Sequence, residues 1–261
     1  MRIVILGCGG SAGVPMLGGK DGTGDWGRCD PAEARNRRSR SSIMVEGDDG
    51  RRLLVDTGPE LREQLLANGI GRIDALLYSH AHADHVAGLD EVRSLNRTIG
   101  RPIETFGTRP VLDEIAHRFN YAFRPWSPPS FFRPVMIPRE VQAGETVIIE
   151  GLELQLFDQI HGRGTTLGFR SGNFAYSTDV VALPRPALDV LKGVDTWIVD
   201  CFQRAAHPAH ADLDLVRSWS AQLGIRRTIL THMGTDMDWS WMAQNLPPGI
   251  EAAFDGMQVV V

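Results

Sequence analysis

The stretch "YSHAHADHVAGLD", residues 78–90, carries more information about this chain than any other. It holds three histidines and two aspartates within thirteen positions, directly after the apolar run "IDALLYS". Imidazoles and carboxylates that follow a buried strand stand at a fixed point of a sheet edge, where they can bind a metal ion. His80 and His82 are two residues apart and can point the same way in an extended turn. Asp84 and His85 follow and can then face a neighbouring position.

Short apolar runs alternate with amphipathic stretches along the chain, which is typical of one layered α/β domain over residues 1–261. "RIVILG", "RRLLVD", "LELQLFD", "TWIVD" and "RRTILTH" are among the predicted strands. "PELREQLLANG", "RPVLDEIAHRF" and "LDLVRSWSAQLG" are among the predicted helices. Several predicted strands end in residue types that bind metals: Asp56, His80, Asp179, Asp200 and His232. His161 follows another strand closely, and side chains at the ends of strands can converge on one cleft.

The candidate ligands are too many for one ion, because a zinc ion takes about three or four protein ligands. The predicted set consists of His80, His82, Asp84, His85, His161, Asp179 and His232. Two divalent ions about 3.5–4 Å apart, bridged by a carboxylate, would use this set, activate water and bind a phosphoryl oxygen. All ligand atoms would be nitrogen or oxygen, which suits Zn²⁺, Mn²⁺ or iron.

Composition and charge exclude several other classes of protein. The chain has 261 residues, 43% of them apolar and 23% charged, and a formal charge of −5, which argues against binding nucleic acid by bulk electrostatics. The start "MRIVILGCGG" is typical of a strand rather than a signal peptide, and no later run reaches the roughly 18 apolar residues of a membrane span. The cysteines, Cys8, Cys29 and Cys201, are too few and too widely spaced for a disulfide framework. We therefore expect a cytoplasmic protein without membrane or stable nucleic-acid partners, and the sequence leaves a homodimer open.

The stretch "SHAHADHVAGL" resembles the H-x-H-x-D-H signature of the metallo-β-lactamase superfamily. "YSTD" with Asp179, "LTH" with His232, and His161 support the resemblance downstream. It extends almost from end to end, through "GCGGSAGVP", "RNRRSRSS", "LLVDTGPELREQLL", "HPAHADLDL" and "FDGMQVVV". This combination looks most like the branch that contains the phosphoribosyl 1,2-cyclic phosphate phosphodiesterases of phosphonate breakdown. The resemblance implies an αββα sandwich, in which two mixed sheets pack face to face with helices outside.

The resemblance also implies how the ligands divide between two ions. One ion would be bound by three histidines: His80, His82 and His161. The other would be bound by Asp84, His85 and His232. Asp179 would bridge the two ions.

Three further residues take roles from the same resemblance. Asp56 would orient a ligand histidine through a hydrogen bond. His210, in "HPAHADLDL", falls where the similar phosphodiesterases place a histidine at the mouth of the site. An imidazole there can protonate the leaving alkoxide or hold a phosphate oxygen. His210 and Asp84 are the predicted catalytic residues, and His207 is the weaker candidate for the role of His210.

The chain departs from this branch in one segment. Relatives often carry a cysteine cluster after the "GVP" turn, which binds a structural zinc together with a later histidine. Here the segment reads "MLGGKDGTGDWGRCD", with Cys29 alone, and a single thiol cannot make such a site. We therefore predict no third metal, so that other contacts order the long loop 9–40. Residues 35–42, "RNRRSRSS", are either a solvated charged run or a binding segment for a substrate phosphate, with Ser41 and Ser42 as further candidates.

These inferences predict a metal-dependent hydrolase of ester bonds, specifically a phosphodiesterase that opens a small cyclic phosphate such as 5-phosphoribosyl 1,2-cyclic phosphate. Two cations lower the pKa of a shared water to about 7, and the hydroxide attacks phosphorus in line. Other functions stay open on the same site: a nucleotide or cyclic-nucleotide phosphodiesterase, a nuclease of the tRNase Z kind, and a thioester, carboxyl-ester, lactone or lactam hydrolase. A nucleotide-binding module without catalysis also stays open.

Overall fold

Two seven-stranded sheets form the centre of the computed structural model, which describes residues 1–128 and 130–261. The strands are β1 (Arg2–Gly7), β2 (Ser42–Glu46), β3 (Arg52–Val55), β4 (Ala75–Leu77), β5 (Ile103–Gly107), β6 (Met136–Glu140), β7 (Thr146–Ile149), β8 (Leu152–His161), β9 (Gly164–Ser171), β10 (Phe174–Ser177), β11 (Thr196–Asp200), β12 (Arg227–Thr231), β13 (Ile250–Ala252) and β14 (Met257–Val260). The α-helices are α1 (Leu61–Ala67), α2 (Ala83–Val86), α3 (Val92–Ile99), α4 (Arg109–Arg118), α5 (Arg185–Leu191), α6 (Leu213–Leu223) and α7 (Trp239–Asn245).

Both sheets are mixed and follow the same plan. The first sheet has the order β14-β1-β2-β3-β4-β5-β6 and the second the order β13-β12-β11-β10-β9-β8-β7. In the first sheet β3 and β4 are parallel, and in the second β10, β11 and β12 are parallel. The carboxyl ends of these strands therefore lie at a common edge of each sheet. This edge is where the candidate ligands follow their strands.

The central strands of the first sheet, β1 to β4, are buried on both faces, which explains why they are nearly continuous apolar runs. In β1, Ile3 and Ile5 belong to the core that the two sheets share, whereas Val4 and Leu6 pack with the helices outside. Burial of each such side chain stabilises the fold by about 1.5–3 kcal/mol. The predicted αββα sandwich of two mixed sheets is confirmed.

Some elements differ from the sequence prediction. Four strands and two helices were not predicted: β5, β6, β9, β13, α2 and α5. β6 reads "MIPRE", has four exposed residues and lies at a sheet edge, where a proline is tolerated and no apolar alternation is required. β8 extends to His161, so this histidine ends its strand instead of following it. Among the described residues, no helix combines the length and the apolar character needed to cross a bilayer.

Candidate metal centre

The seven predicted ligands meet at the common edge of the two sheets in two groups. Within each group, the ligand atoms all lie within 4.8 Å of one another. The first group is His80, His82, His161 and Asp179. The second group is Asp84, His85, Asp179 and His232. The structure thus brings together the residues that the resemblance assigns to each ion, and their role as ligands stays a prediction.

Asp179 joins the two groups because each of its carboxylate oxygens faces a different one. Its Oδ2 atom lies 3.8 Å from Nε2 of His80 and 3.6 Å from Nε2 of His161. Its Oδ1 atom lies 3.1 Å from Nε2 of His85 and 3.4 Å from Nε2 of His232. Ligand atoms about 2.0–2.2 Å from one tetrahedral ion lie about 3.3–3.6 Å apart. These spacings suit one ion on each side of the Asp179 carboxylate.

Four buried imidazole nitrogens of the centre, Nδ1 of His232 and three Nε2 atoms, make no hydrogen bond within the part of the chain that the structure describes. The three Nε2 atoms belong to His80, His85 and His232. A buried polar atom without a partner costs about 1–3 kcal/mol. A metal ion removes this cost by accepting the nitrogen lone pair, so the residues present fit two divalent ions with nitrogen and oxygen ligands.

The backbone at the centre adopts a conformation that side chains usually avoid. Asp56 has φ 64°, Asp179 has φ 51° and His232 has φ 55°, and each follows the end of its strand closely. In the described part of the chain only Glu150 shares this left-handed region among residues other than glycine. Such backbone costs about 1–3 kcal/mol per residue and typically persists at functional sites. The conformation turns the chain sharply at the strand end and directs the side chain towards the centre.

Hydrogen bonds to Nδ1 fix the orientation of two of the ligand imidazole rings. Asp56, the residue predicted to orient a ligand, lies 2.7 Å from Nδ1 of His85. Its carboxylate is held in turn by the amide and the hydroxyl of Ser79, at 2.8 and 2.7 Å. Nδ1 of His161 donates to the carbonyl oxygen of Ala209 at 2.8 Å. A proton held on Nδ1 leaves the Nε2 lone pair free to face the centre.

The electrostatics of the centre favour positive charge. Burial lowers the pKa of His80, and repulsion by His85 adds to the effect, so His80 is neutral. Burial opposes the cation of His232 as well, but the negative charge of Asp179 outweighs it and raises the pKa of His232 to about 9. Burial likewise raises the pKa of the Asp179 carboxyl, but the histidines outweigh this and hold its pKa well below the usual value. A carboxylate that stays ionised in a buried position creates a site for cations.

His210, the predicted catalytic histidine, lies beside the centre. It is 8% exposed, and its ring stacks on His232 with 4.7 Å between centroids. Its Nδ1 atom lies 2.8 Å from Oδ2 of Asp200, the last residue of β11, whose carboxylate also accepts the amide of Val180 at 2.9 Å. The sequence marked Asp200 as a carboxylate at a strand end without giving it a role. His207 is further out, with its ring 5.1 Å from that of His210.

The arginines of residues 35–42 are engaged with the protein itself. Arg35 pairs with Glu33 at 2.7 Å and Arg40 with Glu60 at 2.6 Å. The guanidinium of Arg37 lies over the ring of Trp26. The hydroxyls of Ser41 and Ser42 donate to backbone carbonyl oxygens. These contacts favour a structural role for the segment over phosphate binding.

The fourth arginine, Arg38, helps to anchor the long loop that lacks the cysteine cluster. It is 2% exposed, and its guanidinium donates to the carbonyl oxygen of Met237 at 2.6 Å and to Oδ1 of Asn36 at 3.2 Å. Asn36 in turn donates to Asp238 at 2.8 Å. Cys29, with its Sγ 3.9 Å from the same guanidinium, is buried beside it. The buried guanidinium of Arg38 thus links this loop to the segment after β12.

Comparison with known proteins assigns the chain to a family. The sequence matches the family model described as a beta-lactamase superfamily domain over residues 51–233. A curated octanoyltransferase from Porphyromonas gingivalis is 29% identical over 263 residues, which cover 100% of this chain but 52% of that protein. The chain thus spans about half the length of this relative.

Solved structures extend the comparison. The crystal structure of a new diphosphatase from the PhnP family is 32% identical, with a TM-score of 0.88 over 100% of this chain and 97% of that chain. Zinc-bound PqqB from Methylobacterium extorquens is 20% identical, with a TM-score of 0.77 over 100% of both chains, and shows the shared fold alone. In agreement with the sequence resemblance, the chain belongs to the metallo-β-lactamase superfamily of hydrolases, and within it to the PhnP family.

Proposed function

We propose that this protein is a phosphodiesterase with two divalent metal ions that opens a small cyclic phosphate ester, such as 5-phosphoribosyl 1,2-cyclic phosphate. The observation that carries the proposal is the arrangement of two ligand groups that share Asp179, with a histidine, His210, held by Asp200 beside them. Membership of a hydrolase superfamily supports the reaction type. The likeness to a diphosphatase supports a substrate with phosphate groups.

The two ligand groups would hold the ions. The first ion, Zn²⁺ or Mn²⁺, would be bound by His80, His82 and His161, and the second by Asp84, His85 and His232, with Asp179 between them. When bound, such ions lower the pKa of water and stabilise negative charge on a phosphoryl oxygen.

Two side chains of the protein, His210 and Asp84, would supply the proton for the leaving group and orient the attacking water. Nδ1 of His210 donates to Asp200, which leaves Nε2 without a partner among the described residues. In its protonated form, Nε2 can give a proton to the departing sugar oxygen, while Asp200 fixes the ring and stabilises its charge. One carboxylate oxygen of Asp84 faces His85 and His232 at 3.3 and 3.6 Å. The other oxygen can accept a hydrogen bond from the attacking water.

A second candidate function is hydrolysis of a diphosphate. It is favoured by the description of the 32% identical structure as a diphosphatase. Water would attack the same phosphorus position, and a phosphate oxygen would leave in place of a sugar oxygen. The two candidates differ in the substrate that is consumed, so one panel of substrates separates them.

The test is ³¹P NMR of metal-loaded protein with 5-phosphoribosyl 1,2-cyclic phosphate. We expect the signal of the cyclic phosphorus to be replaced by that of a monoester. The His210→Ala variant should react about 10²–10⁴-fold more slowly, because it lacks the proton donor. His117→Ala is the matched control, since His117 is an exposed residue of α4 that belongs to neither ligand group, and it should keep the wild-type rate.

Other results of the same test would assign a different function to the site. A persistent cyclic signal together with cleavage of a dinucleotide diphosphate would establish the second candidate. Turnover of a thioester or lactone alone would assign carboxyl chemistry to the site, and cleavage of pre-tRNA would assign a nuclease. Protein that holds about two ions per chain and leaves every one of these substrates intact would be a binding module.

A further inference from the structure

A cavity of about 540 Å³ opens beside the first ligand group. His80, His82 and His161 form its inner end, and it extends between the turn that joins β8 to β9 and one face of α4. Ligand pockets for small organic molecules are typically about 300–1,000 Å³. The space is therefore too large for the reacting phosphate alone and has room for the remainder of a sugar phosphate or nucleotide.

The charge of this cavity is set by three side chains. Glu114 and Arg118 of α4 lie on its wall and pair with each other at 2.7 Å, so their charges cancel locally. Arg118 is held further by a hydrogen bond to the carbonyl oxygen of Ala81. Arg163, on the opposite wall, is exposed and makes no ion pair or side-chain hydrogen bond within the part of the chain that the structure describes. The cavity thus contains one guanidinium whose charge is not compensated.

The amino end of α4 adds to this positive character. Pro110 and Val111, in the first turn of the helix, border the cavity, and Thr108 provides no side-chain cap. The partial positive charge of a helix amino end stabilises a nearby anion. Both walls of the cavity therefore favour a negatively charged group.

The position of Arg163 relative to the centre is fixed by the sheet. Arg163 lies two residues after His161, in a tight turn closed by the pairing of His161 with Gly164. His161 is itself held by Ala209, as described above. A guanidinium carried by such a rigid turn is well placed to bind a phosphate through two parallel hydrogen bonds.

We propose that Arg163 binds a second phosphate of the substrate, in the part of the molecule that extends from the centre over the β8–β9 turn. The inference rests on the proposed function, since it requires that the reacting phosphorus lies between the two ligand groups. It narrows the substrate class to organic phosphates that carry at least two phosphorus groups. A diester with a single phosphate would leave the guanidinium without its anion.

The kinetic test compares two substrates that differ only in the second phosphate: 5-phosphoribosyl 1,2-cyclic phosphate and ribose 1,2-cyclic phosphate. The wild type should prefer the first, and Arg163→Gln should lower kcat/KM for it about 10- to 100-fold, mainly through KM, as expected for loss of a charge-assisted hydrogen bond. Activity of the variant on ribose 1,2-cyclic phosphate and on bis(p-nitrophenyl) phosphate should stay at the wild-type level. Arg226→Gln removes the same charge at the amino end of β12, the end opposite His232, and should change none of these values.

An equal decrease of kcat/KM on both cyclic substrates, or no decrease on either, would overturn the role of Arg163. A binding measurement keeps the test independent of turnover. Calorimetry with ribose 1,5-bisphosphate and ribose 1-phosphate should show tighter binding of the bisphosphate to wild type and equal binding of the two ligands to Arg163→Gln. If no diester is hydrolysed but this difference in binding disappears in the variant, the proposed function fails and the phosphate subsite stands. If the difference persists in the variant, the subsite proposal fails whatever the reaction is.

Discussion

At the scale of single residues, three histidines at the centre have their Nδ1 atom already occupied by a hydrogen bond. Nδ1 of His85 is bound to Asp56, Nδ1 of His161 to a backbone carbonyl and Nδ1 of His210 to Asp200. This arrangement fixes each ring and leaves Nε2 for the metal or the substrate. In the proposed mechanism the most important of these acceptors is Asp200, because its partner His210 is the predicted proton donor.

Replacement of Asp200 by Asn should separate its positioning role from metal binding. Asp200→Asn keeps an oxygen that can accept from His210 and from the amide of Val180, but it removes the negative charge that stabilises the protonated ring. We expect kcat to fall at least about tenfold, with KM nearly unchanged. Elemental analysis should still give the wild-type metal content. A variant that loses metal together with activity would show that Asp200 acts on the ions and not on His210.

At the scale of the elements, parallel strand pairing decides where ligands can lie. Asp56 follows β3, Asp179 follows β10 and His232 follows β12, and each turns away from its strand with a left-handed backbone. The same edge receives the loop 9–40, whose Gly10 amide donates to the carbonyl oxygen of Met233 next to the centre. The loop therefore has to be ordered for the edge to keep its shape, and Arg38 is one of the residues that anchor it.

Replacement of this buried arginine should destabilise the whole fold. Arg38→Met removes the hydrogen bonds to Met237, Gly234 and Asn36 and leaves the carbonyl oxygen of Met237 without a partner among the described residues. We expect the free energy of unfolding to fall by about 2–5 kcal/mol in urea denaturation. Arg62→Met is the matched control, because Arg62 is 60% exposed and pairs with Glu63 on the surface of α1, and it should change stability by less than about 1 kcal/mol. A similar small change for both variants would mean that the loop is held by its other contacts.

At the scale of the whole molecule, the centre joins the two sheets. His80, His82, Asp84 and His85 follow β4 of the first sheet, whereas His161, Asp179 and His232 belong to strand ends of the second. Each proposed ion would therefore have ligands from both sheets. Metal binding in such a site stabilises the contact between the two layers as well as the reaction.

Removal of the ions by a chelator should consequently lower thermal stability. An ion present at about a thousandfold excess over its Kd contributes about 4 kcal/mol, which corresponds to roughly 10 °C in Tm for a chain of this size. Scanning calorimetry with and without EDTA measures the shift, and re-addition of Zn²⁺ or Mn²⁺ should reverse it. In Asp179→Asn the EDTA effect should be much smaller, since the shared carboxylate is lost. An unchanged Tm in wild type after verified removal of the metal would contradict a cross-link between the sheets.

The sequence by itself determined the fold class and the identity of the candidate ligands. The layered α/β class depends on apolar periods that encode burial, and the ligand set on imidazoles and carboxylates at the ends of predicted strands, whereas the αββα sandwich was implied by the resemblance to the superfamily. Strands such as β6 were not predicted because they lack the apolar alternation: an exposed edge strand with a proline does not need it.

Only the tertiary structure decided which polar partners meet. Asp200 and His210 are ten residues apart, and Arg38 and Met237 are 199 apart. Arg163 makes no ion pair within the described residues, and Glu114, the carboxylate that lines its cavity there, pairs with Arg118. Hydrogen bonds and ion pairs are satisfied by whatever the fold brings within about 3 Å, and no local period in the sequence encodes that distance.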